Sequence, residues 1–198
     1  MMEVIGLTGQ IASGKSTVSA YLRQKGFAIV DADEIAHAVL RRGGRAYAAV
    51  VRQFGAEFVR PDGEIDRRKL GRAVFADPEK LAQLNAITHP CICAEIRAEL
   101  AGRQGTVFLD APLLVQAGLD SLCGEIWNVT ADDALRLRRI QTRDGLNAEE
   151  ARARMQSQAG VRMPADRPVR TIDNSADTAA LYRQVEALLE GRKRHEEA

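Results

Sequence analysis

Val4-Ile5-Gly6-Leu7-Thr8 runs directly into Gly9-Gln10-Ile11-Ala12-Ser13-Gly14-Lys15-Ser16, a short apolar segment followed by a complete G-x-x-x-x-G-K-[ST] phosphate-binding loop. Such a loop turns successive backbone N–H groups onto a phosphate chain. Gly9 and Gly14 permit the tight turn because they carry no Cβ. Lys15 brings a point charge to the β and γ phosphates. Ser16 offers a hydroxyl to Mg²⁺, and a helix starting there directs the positive end of its dipole at the same anion. Strand, loop and helix in this order form the context in which the motif binds a nucleoside triphosphate.

A chain of 198 residues, 45% hydrophobic and 28% charged, is long enough to bury a sizeable core as one domain or one domain with an insertion. Lys plus Arg number 28 against 27 Asp plus Glu, and this net charge of +1 gives no electrostatic footprint for nucleic acid or for a membrane surface. Any anion specificity must therefore be local. The amino terminus lacks a basic region ahead of a long apolar run, and no stretch approaches the length of a membrane span. These features predict a cytoplasmic protein that binds small molecules, with no nucleic-acid or membrane partner, and they leave its oligomeric state open. Cys91, Cys93 and Cys123 form neither an even framework nor a metal-ligand pattern, and the histidines are scattered. The cysteines read as free thiols in small apolar or surface positions.

Further along, Glu3 to Thr8 reads as a strand, Ser16 to Lys25 as a helix with Val18, Tyr21 and Leu22 on one face, and Phe27 to Val30 as a second strand. This is the pattern of a parallel α/β fold. From Ile35 to Gly102 the periodicity is helical, in pieces at 35–41, 45–54, 67–75, 78–87 and 90–100. Pro78 and Pro90 stand where a helix's first turn tolerates proline, and Pro61-Asp62-Gly63 marks a turn. Thr106 to Asp110 and Glu125 to Thr130 are β-branched and aromatic runs that read as strands. Two arginine-rich helices, 132–143 and 147–158, meet near Asp144-Gly145. Val169 to Asp173 is a last strand, and 177–189 a closing helix ahead of a solvated charged tail.

Ligands of a parallel sheet collect at the carboxyl ends of its strands, where the phosphate loop already lies. The second strand ends at Asp31-Ala32-Asp33, so a carboxylate there could accept a proton from an acceptor hydroxyl or help hold Mg²⁺. Asp33 is the choice for the base, and one of the pair is expected to cap the following helix. Asp110 ends its strand where P-loop proteins often keep a Mg²⁺-organising acid, although an Asp there is also a common turn former. Phosphoryl transfer further requires positive charge on the moving group and exclusion of water. Arg139 and Arg143 lie four apart on one helical face just before Gly145, as an arginine-bearing lid would need. The same charges also fit an ordinary solvated helix face.

At this point the chain resembles the dephospho-CoA kinases. The resemblance is carried by Leu7-Thr8-Gly9 through Lys15-Ser16-Thr17, Asp31-Ala32-Asp33, Ile65-Asp66-Arg67, Thr88-His89-Pro90, Pro112-Leu113-Leu114, Arg143-Asp144 and Ile172-Asp173-Asn174, and it covers nearly the whole chain. It implies ATP-dependent phosphorylation of the ribose 3′-hydroxyl of dephospho-CoA, the last step of coenzyme A synthesis, with ATP and Mg²⁺ as cofactors. It implies a P-loop kinase core (1–34, 103–138 and 160–198), a helical acceptor domain (35–102) and a helical lid (139–159). Gly9, Ala12, Ser13, Gly14, Lys15, Ser16, Thr17 and Asn174 would bind the nucleotide, with Ser16 on the metal. Asp33, His89 and Leu113 would meet the acceptor, and Lys15, Asp33, Arg139 and Arg143 would act in catalysis.

The pattern is broken at several positions. Gln10 and Ala12 stand where the family usually has glycine, so the loop's backbone angles there are expected to suit residues with a Cβ. Gln116 replaces an acid, and Arg167-Pro168 replaces Ala-Asp. A kinase for another small acceptor would share the same core, because a P-loop does not define the acceptor. A guanine-nucleotide switch would need an Asn-Lys-x-Asp motif that this chain lacks, and a nucleic-acid-dependent ATPase would need a basic surface.

Overall fold

The computed structural model describes residues 2–158 and 160–196, with side chains through Arg192. Two compact units emerge, one made of the chain up to Val30 together with the chain from Gln104 onward, the other of Asp31–Arg103.

The first unit is built on the sheet. Strands β1 (Met2–Gly9), β2 (Ala28–Asp31), β3 (Gly105–Asp110), β4 (Glu125–Thr130) and β5 (Val169–Asp173) stand in the order β2-β3-β1-β4-β5. The pairs β1–β3, β1–β4 and β4–β5 are parallel. Strands buried on both faces need apolar side chains on both, which is why Val107-Phe108-Leu109 and Ile5, Leu7, Ile126, Trp127 and Val129 read as continuous hydrophobic runs. Helix α1 (Lys15–Gln24) lays Val18 and Leu22 on this sheet, and α8 (Thr178–Glu196) adds Leu181, Val185 and Leu189. Fully burying a side chain of this size contributes about 1.5–3 kcal/mol. Phe108 makes edge contacts with Phe27 and Trp127, at centroid distances of 5.4 and 5.0 Å. The register places Leu7 opposite Asp110, Gly9 opposite Val129, and Thr130 opposite Asp173, so the carboxyl ends of β1, β3, β4 and β5 finish at one edge. Helices α6 (Asp133–Asp144) and α7 (Ala148–Gln156) follow β4, and α7 opens with a reciprocal capping box between Asn147 and Glu150.

The final helix departs from the sequence reading. Instead of ending at Leu189 ahead of a solvated tail, α8 continues to Glu196. The half-buried Arg192 explains the extension: its guanidinium pairs with Glu3 at the start of β1 and with Glu125 at the start of β4. Glu125 also accepts from Trp127 Nε1 (3.2 Å) and Arg170 Nε (3.1 Å).

The second unit is helical: α2 (Ala32–Ala38), α3 (Tyr47–Phe54), α4 (Arg67–Phe75) and α5 (Pro78–Ala101). Its core includes Ile35, Val50, Leu70, Val74, Ile96 and Leu100. Helix α2 starts three residues earlier than its periodicity suggested, because Asp31 caps it, accepting from the amides of Asp33 and Glu34 at 2.9 and 3.1 Å. The expected break before Pro90 is absent, and 78–101 is one helix. Proline removes one ladder hydrogen bond. Continuity lets Thr88, Ile96 and Leu100, at spacings of eight and four, bury a single face while α5 packs on α2 and α4. Thr88 Oγ1 also donates to Leu84 O at 2.9 Å within that turn.

Among the described residues no helix is long and apolar enough to cross a membrane. The three cysteines are free, and burial pushes the Cys123 thiol up to about 12.

Candidate functional site

The loop between β1 and α1 begins where Gly9 leaves the sheet, and its glycines are there for different reasons. A Cβ on Gly9 would lie 2.6 Å from both Val129 O and Ser13 Oγ. Gly14 has φ +95° and serves as the cap of α1, and a Cβ on it would run into the Asn174 amide. Ala12 has φ 60°, the only positive φ among the described non-glycine residues. The expectation that the loop's angles suit a Cβ at both substituted positions is thus overturned at Ala12. A left-handed alanine costs roughly 1–2 kcal/mol, so surrounding contacts have to hold it.

Most of those contacts are on the loop's carbonyls. Arg136 Nε, from α6, donates to Ile11 O at 3.0 Å. Arg139 Nη1, one turn on, donates to Ala12 O and Ser13 O at 3.1 and 3.3 Å, and its Nη2 to Asn174 O at 3.2 Å. Asn174 Nδ2 closes the circuit on Ser13 O at 2.8 Å. On the amide side, Ile11 N donates to Gln158 Oε1 at 2.7 Å. Carbonyl and N–H point in opposite directions across a trans peptide plane. Drawing the Ile11 and Ser13 carbonyls toward these donors therefore turns the N–H groups of Ala12 and Gly14 the other way, as an anion-binding nest requires, while Ser13 N donates to Gln10 O at 3.0 Å.

Lys15 begins α1 and pairs with Asp110, which is buried at the end of β3. Thr8 Oγ1 donates to Pro112 O at 3.3 Å, which joins the strand before the loop to the segment that carries the exposed Leu113. Ser16 is exposed in the first turn of α1, and Thr17 N donates to Gly14 O at 2.9 Å.

The remaining expected residues stand on helices α6, α2 and α5. Arg143 does not join Arg139 on the loop: both ends of its guanidinium bond Asp144, at 2.7 and 3.0 Å, and Arg154 bonds the same carboxylate at 2.8 Å. That pairing raises the Arg143 pKa and lowers that of Asp144. Asp33 stands in the first turn of α2 and His89, exposed, in α5, both within the helical unit. Among the described residues no group of three or more His, Cys, Asp or Glu is placed to hold a metal ion. Arg167, one of the broken-pattern positions, bonds the carbonyls of Asp120 and Cys123 and the Asp166 carboxylate, ahead of the bond from Ile126 N to Pro168 O at 2.9 Å.

Arg136 and Gln158 are the residues at this loop that the sequence reading passed over. Arg136 was within reach, since it lies three before Arg139 on the same helix and so shares its face. Gln158 follows the end of α7 and carries no spacing signal.

Comparison with known proteins bears on the same residues. A family model described as Dephospho-CoA kinase (CoaE) matches residues 3–180. A Dephospho-CoA kinase of Symbiobacterium thermophilum is 46% identical over 190 residues, covering 94% of this chain and 80% of its own. That of Geobacillus kaustophilus is 44% identical over 193 residues, covering 96% of each. Among solved structures, TT1252 from Thermus thermophilus superposes with a TM-score of 0.78 at 35% identity, over 96% of this chain and 97% of that one. The Dephospho-CoA kinase from Campylobacter jejuni gives 0.74 at 27% identity, over 99% and 100%. The matched range, residues 3–180, includes the phosphate loop, Asp110, the arginines of α6 and Asn174, and the chain belongs to the dephospho-CoA kinase family.

Proposed function

We propose that the chain transfers the γ-phosphoryl group of ATP to the ribose 3′-hydroxyl of dephospho-CoA, giving coenzyme A and ADP. The observation that carries the reading is the loop from Gly9 to Lys15, with its carbonyls held outward by Arg139 and Asn174 and its lysine already resting on a buried acid. Lys15 exchanges one anionic partner, Asp110, for another, the phosphates, and so meets the triphosphate without first being stripped from water. The loop from Ala12 to Thr17 surrounds the phosphates. Asp33 takes the proton of the acceptor hydroxyl, while His89 and Leu113 hold the acceptor. Arg139 steadies the loop, and Arg143 meets the transferring group.

Mg²⁺ is a hard cation that keeps waters and substrate phosphates as ligands, so an exposed hydroxyl beside the phosphates suffices. Ser16 would hold it, and Asp110 supplies a buried carboxylate within the same unit. When bound, the ion neutralises charge on the phosphate oxygens.

The test is ADP formation from ATP with dephospho-CoA, AMP or water as acceptor. ADP release should depend on dephospho-CoA. Lys15→Ala should lower kcat by about 10²-fold or more in a folded protein. Asp33→Asn should keep ATP binding and lose transfer, because an amide cannot take the proton. Release that is indifferent to the acceptor would sink the reading, and joint loss of binding and transfer in Asp33→Asn would make that residue a metal organiser or cap.

A further inference from the structure

Arg136 is a buried charge for which the chemistry proposed above has no use. The residue is 4% exposed. Its Nη1 donates to Asp133 at 2.8 Å, its Nε to Ile11 O at 3.0 Å, and its Nη2 is buried with no hydrogen-bond partner among the described residues. The counter-ion is of little help, since the Asp133 side chain is 83% exposed. A guanidinium withdrawn from water with one solvated carboxylate and an idle donor is costly where it stands. What it does there is hold Ile11 O.

The neighbouring residue explains why that carbonyl needs holding. Ala12 follows Ile11 with φ 60°, a conformation an alanine leaves unless its surroundings over-determine it. The carbonyl of Ile11 and the N–H of Ala12 belong to one peptide plane. Pinning the oxygen to Arg136 therefore sets the direction of that N–H, and Arg139 does the same for the next two planes through Ala12 O and Ser13 O.

The geometry points to Arg136 as a positioning residue for ATP: it holds the Ile11–Ala12 peptide of the strained loop in the phosphate-binding orientation, and so sets ATP affinity without touching the nucleotide. This rests on the loop being the ATP site. Its failure and the failure of that reading look different, because in the second case the unmodified enzyme forms no acceptor-dependent ADP.

Three variants separate the bond to Ile11 from packing and charge. Glutamine carries an N–H donor at the same distance along the side chain as the arginine Nε, whereas methionine fills similar space with no donor. Arg136→Gln should keep the KM for ATP within about threefold of the unmodified enzyme, and Arg136→Met should raise it about tenfold, with the KM for dephospho-CoA unchanged in both. Adding Ala12→Gly to Arg136→Met removes the left-handed strain and should return the KM for ATP to within about threefold. Equal ATP KM values for Gln and Met, a parallel rise in both KM values, or no recovery with Ala12→Gly would overturn the proposal. If Arg136→Met does not fold alone, Arg136→Leu, which also lacks a donor, takes its place: an ATP KM about tenfold above that of Arg136→Gln supports the assignment, and equal values overturn it.

Discussion

Ala12 shows how much a single residue reveals about the loop around it. Its φ of 60° is a conformation that glycine adopts freely and alanine does not. The strain of roughly 1–2 kcal/mol is partly offset because alanine has less freedom to lose from the unfolded chain, about 0.5–1 kcal/mol less than glycine. Ala12→Gly is therefore expected to raise the unfolding free energy by roughly 0.5–1 kcal/mol, read from urea denaturation of the two proteins at one temperature. A less stable glycine variant would mean that the surroundings favour the methyl group itself.

At the scale of one element, α6 divides its arginines by helical position. Arg136 and Arg139, three apart, reach the loop carbonyls, while Arg143 lies at the helix end where Asp144 captures it. That capture is weak as a restraint. Arg143 is 61% exposed, and exposed ion pairs contribute about 0–1 kcal/mol, so the side chain can be drawn away by a more highly charged partner. Arg143→Ala should lower kcat about 10²-fold or more while changing the KM for dephospho-CoA little, since its charge would meet the phosphoryl group mainly in the closed complex. Steady-state kinetics with both substrates varied will decide: a near-normal kcat leaves Arg143 as a surface partner of Asp144, and a rise in KM alone moves it to the acceptor. Helix α5 teaches the complementary lesson. Pro90 looked like a helix start because proline suits a first turn, yet the shared buried face of Thr88, Ile96 and Leu100 outweighs one missing backbone hydrogen bond.

Across the molecule, the unit built on the sheet ties its first strand, β4 and its last helix together through one partly buried charge cluster. Arg192 of α8 pairs with Glu3 and Glu125, and Glu125 is shared with Arg170 and Trp127. Removing one member of a largely buried pair leaves the other poorly compensated. Arg192→Ala should cost about 3 kcal/mol, lower the thermal midpoint by several degrees, and leave the KM for ATP unchanged, because the starts of β1 and β4 lie at the opposite end of those strands from the loop. Calorimetry combined with kinetics below the transition checks this, and an unchanged midpoint would make the cluster a solvated surface feature.

How much of this was legible in the residues follows from the range of the interactions. The parallel α/β core, its strands, the phosphate loop and the Asp cap of α2 rest on local features, namely hydrophobic period, glycine spacing and side-chain capping, and one stretch of sequence contains all the atoms involved. The ion pair of Lys15 with Asp110, the grip of Arg136 and Arg139 on loop carbonyls more than a hundred residues away, the left-handed Ala12 and the extension of α8 to reach Glu3 and Glu125 were not legible. Each joins groups that come together only when parallel strands set their carboxyl ends side by side, or when a helix is laid across them. The motif by itself determined the expectation of a phosphate site at the end of β1. Which side chains hold the loop in shape for that task was decided by the packing of α6, β3 and β5 around it.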